Sequence, residues 1–330
     1  MHKSKIIGMG FKVPDNIISN DDLSKIMDTS DEWIQTRSGI KERRWATEEV
    51  ATSDLAFSAA NNAIKNAEIN NKEIDLVIVG TLSSDYFFPG VSAQLQEKLN
   101  LNLVGAFDIK AACSAFIYSL SIADQYIKTG AAETVLVIGA ETQTKLIEKS
   151  SEGRDVAVLF GDGAGAAIVQ RSDDESQILS THLHSQGKHL KNLWMEAPGT
   201  RKGSWFKENK FDQKIFTPKM NGREVFKNAV KRFPEVIHEA LEHNNLDFND
   251  IKLIIPHQAN YRISQAVAKK LGVGMDKVYS NIHKYGNTTA ASIPIALSEA
   301  VNSKKINKED LIILAAFGAG YTWASAAIKW

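Results

Sequence analysis

Hydrophobic residues in this chain follow two rhythms. Four short runs are almost continuously apolar: Leu76-Val77-Ile78-Val79, Val135-Leu136-Val137-Ile138, Leu253-Ile254-Ile255 and Leu311-Ile312-Ile313-Leu314. Their length and β-branched content predict buried strands. Over 54–66, 116–128 and 225–243 the apolar positions recur at helical spacing, which predicts amphipathic helices between the strands. Alternation of this kind predicts an α/β fold around a largely buried sheet. The segment from about 186 to 217 breaks both rhythms. It is polar and aromatic, with Leu193-Trp194-Met195 and Gly203-Ser204-Trp205-Phe206-Lys207, and reads as an irregular insertion flanking the site.

The pattern also repeats. Residues 63–78 slide onto 240–255 without a gap, at a shift of about 177 positions. The same shift lays Tyr118-Ser119-Leu120-Ser121 over Ile295-Ala296-Leu297-Ser298, and Val135-Leu136-Val137 over Ile312-Ile313-Leu314. Two related halves follow, 1–171 and 172–330, packed about a pseudo-twofold axis. This register sets Cys113 opposite Ala290, each opening an equivalent helix. His257 directly follows a strand, and Asn287 lies just before the second helix. Packing of the halves would bring Cys113, His257 and Asn287 to one point.

Composition narrows the possibilities. A chain of 330 residues accommodates one large domain or two ordinary ones. Lys plus Arg number 39 and Asp plus Glu 39, so no global charge favours nucleic acid, and an anionic partner needs a local patch. The N-terminus lacks a signal-peptide pattern and no run is long enough to span a bilayer, so a cytoplasmic protein without a membrane partner is expected. Cys113 is the only cysteine, which excludes an intrachain disulfide.

Cys113 is therefore a small buried hydrophobe or a nucleophile. At the first turn of a helix its thiolate would meet free amides and the positive dipole end. His257 belongs where ligand groups gather in α/β sheets, at a strand's C-terminal end, although a structural histidine is equally compatible with that place. Asn287 by itself reads as a turn or cap residue. Gly161-Asp162-Gly163-Ala164-Gly165-Ala166 follows the apolar run Val156–Phe160 and resembles a dinucleotide fingerprint. The next residues look like a strand rather than a crossover helix, so a tight strand-to-strand turn is the better reading. His182 and His184 could face one way on a strand, but no further ligand is evident nearby and a metal site is rejected. Trp33 could stack on a planar ring while Arg37 and Arg154 meet phosphates. Lys227, Arg262, Lys269 and Lys270 form a basic set suited to an acidic partner protein.

Taken together, the motifs Thr29-Ser30-Asp31-Glu32-Trp33-Ile34, Arg37-Ser38-Gly39-Ile40, Ala111-Ala112-Cys113, Phe160–Ala166, His257-Gln258-Ala259-Asn260, Gly286-Asn287-Thr288 and Phe317–Trp323 run nearly end to end. In this the chain resembles the β-ketoacyl-acyl-carrier-protein synthase III enzymes of the thiolase superfamily. The resemblance implies a thiolase-like fold with Cys113 as the acylated nucleophile and His257 and Asn287 completing the triad. It implies a homodimer in which Phe88 of one subunit lines the other's acyl pocket. Trp33 and Arg154 would sandwich the adenine of coenzyme A, with Arg37 contacting the nucleotide. Met220, Gly222, Phe226, Ala259 and Asn260 would line the pantetheine channel, and Lys227, Arg262, Lys269 and Lys270 would dock the carrier protein.

The implied reaction is a decarboxylating condensation of an acyl-CoA-derived acyl group with malonyl-acyl carrier protein, ping-pong through acyl-Cys113, as the initiating step of type II fatty acid synthesis. Backbone amides at Cys113 and in the Phe317–Gly320 loop would stabilise the oxyanion. No metal or redox cofactor is expected. Ala115, Ser38 and Ala319 depart from the residues usual in the family, and they touch acyl-chain preference rather than catalysis. A specialised condensing enzyme of secondary lipid or polyketide synthesis is the alternative. An oxidoreductase built on the Gly161 loop and a non-catalytic binding subunit fit the residues less well.

Overall fold

The structure, a computed structural model, describes residues 2–201 and 213–330. Its two main sheets are built from β1 (Lys3–Lys12), β2 (Leu76–Gly80), β3 (Gly105–Ile109), β4 (Thr134–Glu141), β5 (Gly163–Ser172), β6 (Gln177–Ser185), β7 (Ile251–Pro256), β8 (Leu311–Gly318) and β9 (Thr322–Lys329). The helices that matter to the site are α1 (Asp31–Ser38), α2 (Thr52–Ala67), α3 (Val91–Lys98), α4 (Ala115–Lys128), α5 (Gly222–His243), α6 (Tyr261–Leu271) and α7 (Ser292–Asn302).

One sheet has the order β1-β5-β4-β2-β3 and the other, read from its far edge, β6-β9-β8-β7. The first four strands of each match in direction. The β4–β2 and β8–β7 pairs are parallel, and the preceding pairs antiparallel. Where β3 extends the first sheet in parallel, the second has a single parallel bridge between Ile254 and Val278.

Alternation along the strands sorts their side chains into layers. Val135 and Val137 face one way and Ile312 and Leu314 the other, both onto Phe116, Ile117 and Leu120 of α4 and Ile293, Ala296 and Leu297 of α7. These two helices form a central layer between the sheets. On the outer face of the first sheet, Val77, Val79, Leu136 and Ile138 pack on α2 and α3. On the outer face of the second, Ile254, Ile313 and Ala315 pack on α5 and α6. The fold is thus a thiolase-like stack in which both strand faces are covered, which is why the strands read as unbroken apolar runs. Among the described residues no helix is long and apolar enough to cross a membrane.

The four expected strands and three expected helices are all present. The apolar run before Gly161 is not a strand, however. Residues Arg154–Ala157 form one helical turn, and β5 starts inside the glycine segment at Gly163. Asp162 explains the break. Its buried carboxylate accepts from the amides of Ala46 and Thr144 and the Thr144 hydroxyl, which anchors the chain before the strand begins. Within the insertion, Leu193–Trp194 pairs with Lys219–Met220 as a short antiparallel ribbon. Gly203, Trp205 and Phe206 lie outside the described residues.

Candidate active site

Between β3 and α4 the chain makes one tight helical turn, Ala112–Ser114, with Cys113 at its middle. Ala112 takes a left-handed φ of 49°, which turns the chain sharply enough to present Cys113 across the gap to β8. Gly318, at the end of β8, allows that approach. A Cβ there would lie 2.7 Å from the Cβ of Cys113 and 3.0 Å from its Sγ. Thr322 fastens the turn from the β9 side by donating its hydroxyl to the Ala111 carbonyl at 3.0 Å.

The backbone amides of Cys113 and Ala319 favour charge on the sulfur, yet burial outweighs them and pushes the thiol up to about 12, the charge of Glu141 adding to the rise. The helix start therefore does not yield a resting thiolate, as position alone suggested. The difference is desolvation: the thiol is almost fully enclosed, and charge without solvent costs more than two amides return.

A second turn, Thr289–Ala291, leads into α7, and its first residue Thr289 also has φ 49°. Ala290 packs against Ala111 and Ala115, on either side of Cys113. Asn287 sits just upstream and is pinned on three sides. Its amide donates to the Leu159 carbonyl at 2.8 Å, its carbonyl accepts from Gly161 at 3.0 Å, and its Oδ1 accepts from the Thr289 amide at 2.9 Å. The side-chain Nδ2 is left as the free donor.

His257 follows β7, and its amide donates to the Ala315 carbonyl of β8 at 2.8 Å. Nδ1 lies 2.6 Å from Oγ of Ser292, the first residue of α7. That Oγ accepts from the Gln258 amide at 3.4 Å and, among the described residues, has no acceptor for its own proton other than Nδ1; donating there puts the ring proton on Nε2. Burial pushes His257 down to about 3 and keeps the ring neutral. The site thus offers an enclosed thiol, two amides that favour charge on its sulfur, and two side chains each held with an N–H that has no acceptor among the described residues.

The outer candidates fall into separate groups. The guanidinium of Arg37 lies 4.3 Å from the Trp33 ring centroid and that of Arg154 lies 4.8 Å from it. Asn260 caps α6 through the Arg262 amide at 2.9 Å and donates to the Arg37 carbonyl at 2.9 Å, joining α6 to α1. Met220 pairs with Leu193 in the ribbon, Gly222 opens α5, and Phe226 and Ala259 pack partly buried on the α5–α6 core. Lys227 on α5 and Arg262, Lys269 and Lys270 on α6 are all exposed. Phe88 belongs to none of these groups: at 79% exposure it stands in solvent beside Phe87.

Family models for 3-oxoacyl-[acyl-carrier-protein] synthase III match residues 107–187 and, for the C-terminal part, 241–330. The β-ketoacyl-[acyl-carrier-protein] synthase III of Xylella fastidiosa is 45% identical over 327 residues, covering 99% of this chain and 98% of that protein. That of Clostridioides difficile is 47% identical over 329 residues, with the same coverage. The chain belongs to this family. The crystal structure of 3-oxoacyl-[acyl-carrier-protein] synthase III from Aquifex aeolicus superposes with a TM-score of 0.91 at 45% identity, covering 99% of this chain and 100% of that one.

Set against this family, the departures have local explanations. The methyl of Ala115 faces β2 rather than the thiol, at a place where a Cβ on Gly80 would stand 2.8 Å from it. Ser38 donates to the Ile34 carbonyl at 2.7 Å, and Ala319 contributes only its amide to the sulfur. Sequence reasoning missed Ser292 and Glu141. For Ser292 a signal existed, since the internal shift sets it opposite Ala115 at the opening of the second helix. His182 and His184 both reach Glu239, with His184 Nε2 2.6 Å from its carboxylate. Among the described residues no group of three or more His, Cys, Asp or Glu is placed to hold a metal ion.

Proposed function

We propose that this synthase III condenses an acyl group taken from acyl-CoA with malonyl-acyl carrier protein, giving 3-oxoacyl-carrier protein, coenzyme A and carbon dioxide. Cys113 attacks the acyl thioester, and its proton leaves with the coenzyme A thiolate. The amides of Cys113 and Ala319, which favour charge on the sulfur, would hold the oxyanion of the tetrahedral intermediate. Malonyl-carrier protein then enters. Carbon dioxide departs, the electron pair moves into the thioester as an enolate, and that carbanion attacks the acyl-cysteine. The Cys113 sulfur leaves and takes up a proton.

One observation carries this reading: both His257 and Asn287 have their acceptor atoms occupied, His257 by Ser292 and Asn287 by Thr289. Each then presents a donor, and two such donors suit an enolate oxygen. A neutral His257 cannot serve by charge, so it acts through its Nε2–H.

The stacked Trp33, Arg37 and Arg154 support an adenine and phosphate site for coenzyme A, and the exposed cations of α5 and α6 support docking of an acidic carrier protein. Exposed Tyr86, Phe87 and Phe88 support a homodimer in which this loop is covered. A division at Arg171, with the nucleophile before it and both donors after it, and a cytoplasmic place of action complete the reading.

Intact-mass measurement after incubation with a panel of acyl-CoAs tests it. One acyl group should add to the wild type and none to Cys113→Ala, and malonyl-carrier protein should discharge the adduct. Adducts that persist in Cys113→Ala would refute the assignment.

A further inference from the structure

Glu141 closes β4 with its side chain completely buried, and nothing in the condensation chemistry calls for it. Among the described residues it forms no ion pair. Its carboxylate instead gathers donors from two directions. The amides of Leu82 and Ser83 donate at 3.1 Å and the Ser83 hydroxyl donates as well. On the other side the Ala290 amide favours the charged carboxylate, and Ala290 lies so close to β4 that a Cβ on Gly139 would clash with its carbonyl oxygen.

Ser83 is held in turn. Its hydroxyl oxygen accepts from the Thr142 amide at 2.9 Å, and its carbonyl accepts from Thr52 of α2. Five residues further on, the same loop carries exposed Phe88. Ala290 packs against Ala111 and Ala115, which flank Cys113. One carboxylate therefore joins β4, the root of the Phe88 loop and the turn facing the thiol. A carboxylate this deep costs stability unless it is fully hydrogen-bonded.

We propose that Glu141 is a positioning residue: it locks the root of the Phe88 loop to the Ala290 turn and sets a negative charge behind Cys113. The proposal rests on the reading of Cys113 as the nucleophile. Burial raises Glu141 itself to about 7, so its charge is present above neutral pH. There it favours the protonated thiol, and the resting cysteine stays inert until a thioester reaches the site. Removing the charge frees the thiol but unfastens the turn next to Asn287. Reactivity of the sulfur and turnover of the enzyme then move in opposite directions, which a purely structural role would not produce.

The single cysteine makes the test direct. Iodoacetamide alkylation of Cys113 is followed against pH in wild type, Glu141→Gln and Glu141→Asp, beside acyl loading by intact mass, condensation rate and thermal unfolding. In Glu141→Gln, alkylation at a fixed alkaline pH should rise about tenfold, as for a thiol pKa lower by one unit, while condensation falls by about tenfold. Glu141→Asp keeps the charge but lacks the reach to span both donor sets. Its alkylation profile should stay with the wild type while its condensation slows. A Glu141→Gln protein with wild-type alkylation and turnover would overturn the proposal. Should that variant not fold, wild-type turnover in Glu141→Asp would overturn it equally. Failure of the wild type to load an acyl group on Cys113 would instead refute the nucleophile assignment and leave the alkylation comparison to judge Glu141.

Discussion

Two turns of this molecule share nearly all their geometry and do different work. Ala112–Ser114 and Thr289–Ala291 each begin with a residue at φ 49°, each follow a sheet strand or its remnant, and each open a helix of the central layer. At the middle position one has Cys113 and the other Ala290. Around the first turn the contacts are close and few: Gly318 across the gap, and amides on the sulfur. Around the second lie Asn287, Ser292, Gln143 and Glu141, joined by hydrogen bonds. One copy of the scaffold carries a reactive atom, and the other fixes the donors that serve it. The backbone can be duplicated cheaply; the chemistry comes from making its surroundings unequal.

The strongest way to break the comparison is to exchange the middle residues. Cys113→Ala should lower condensation at least about a thousandfold while leaving thermal unfolding near the wild type. Ala290→Cys in that background should gain no acyl adduct by intact mass, because the second turn lacks the amide partners that the sulfur of Cys113 has. An adduct at position 290 would show that the turn alone makes the nucleophile.

The donor side has its own signature in pH. The folded pKa of His257 is depressed to about 3 from an ordinary 6.5. Its contribution to stability is therefore full above pH 6.5 and is lost as pH falls through 3, because the unfolded chain binds the proton first. Denaturant unfolding of wild type and His257→Asn should accordingly converge with falling pH over this window, by a few kcal/mol on the order-of-magnitude scale of such linkage. Parallel pH curves would mean that His257 titrates normally and meets solvent.

Packing beneath the first turn gives a smaller effect. Gly80→Ala would press a methyl to 2.8 Å from the Ala115 Cβ, destabilising the protein by about 1–3 kcal/mol. Adding Ala115→Gly should restore part of that, since it removes the nearest contact but leaves the backbone carbon of residue 115 at 3.0 Å. Equal urea midpoints for single and double variants would place the departure at Ala115 elsewhere than in this contact.

Legibility in the sequence followed the physics of each feature. Strands such as 135–138 and 311–314 were readable because both faces are buried, which leaves an unbroken apolar run. Cys113 and Ala290 were paired by a shift in hydrophobic pattern that needs no coordinates. The thiol's raised pKa was not readable, because it depends on enclosure by β8 and on a carboxylate, Glu141, in a different element of the chain. The run 156–160 misled for a related reason: the buried Asp162 interrupts what hydrophobicity alone would continue as a strand. Ser292 could have been found from the repeat, but the orientation of a histidine tautomer is a matter of which donors surround one hydroxyl.

That hydroxyl sets the next prediction. Ser292→Ala removes the group that donates to Nδ1 of His257, so either ring nitrogen can carry the proton. Condensation should slow by about tenfold, with acyl loading of Cys113 much less affected, because the donor is needed at the enolate and not at the first thioester. Single-turnover measurements of the two half-reactions separate these outcomes. Equal slowing of both would assign His257 to acylation as well.

The smallest test goes to the shared φ itself. A left-handed residue with a Cβ costs roughly 1–2 kcal/mol, and glycine relieves that cost while giving up chain entropy and a buried methyl. For Ala112→Gly these contributions nearly cancel, so stability should stay within about 1 kcal/mol of the wild type. Thr289→Gly relieves the same strain but also removes the hydroxyl that donates to Oε1 of buried Gln143. It should therefore be less stable than Ala112→Gly by about 1 kcal/mol, the value of one lost internal hydrogen bond. Chemical denaturation resolves a gap of that size. Its presence would mean that the second turn is held by its own side-chain hydrogen bonds, and the first by its backbone, close packing and the one bond that Thr322 supplies from β9; its absence would mean that both turns rest on the same support despite their different neighbours.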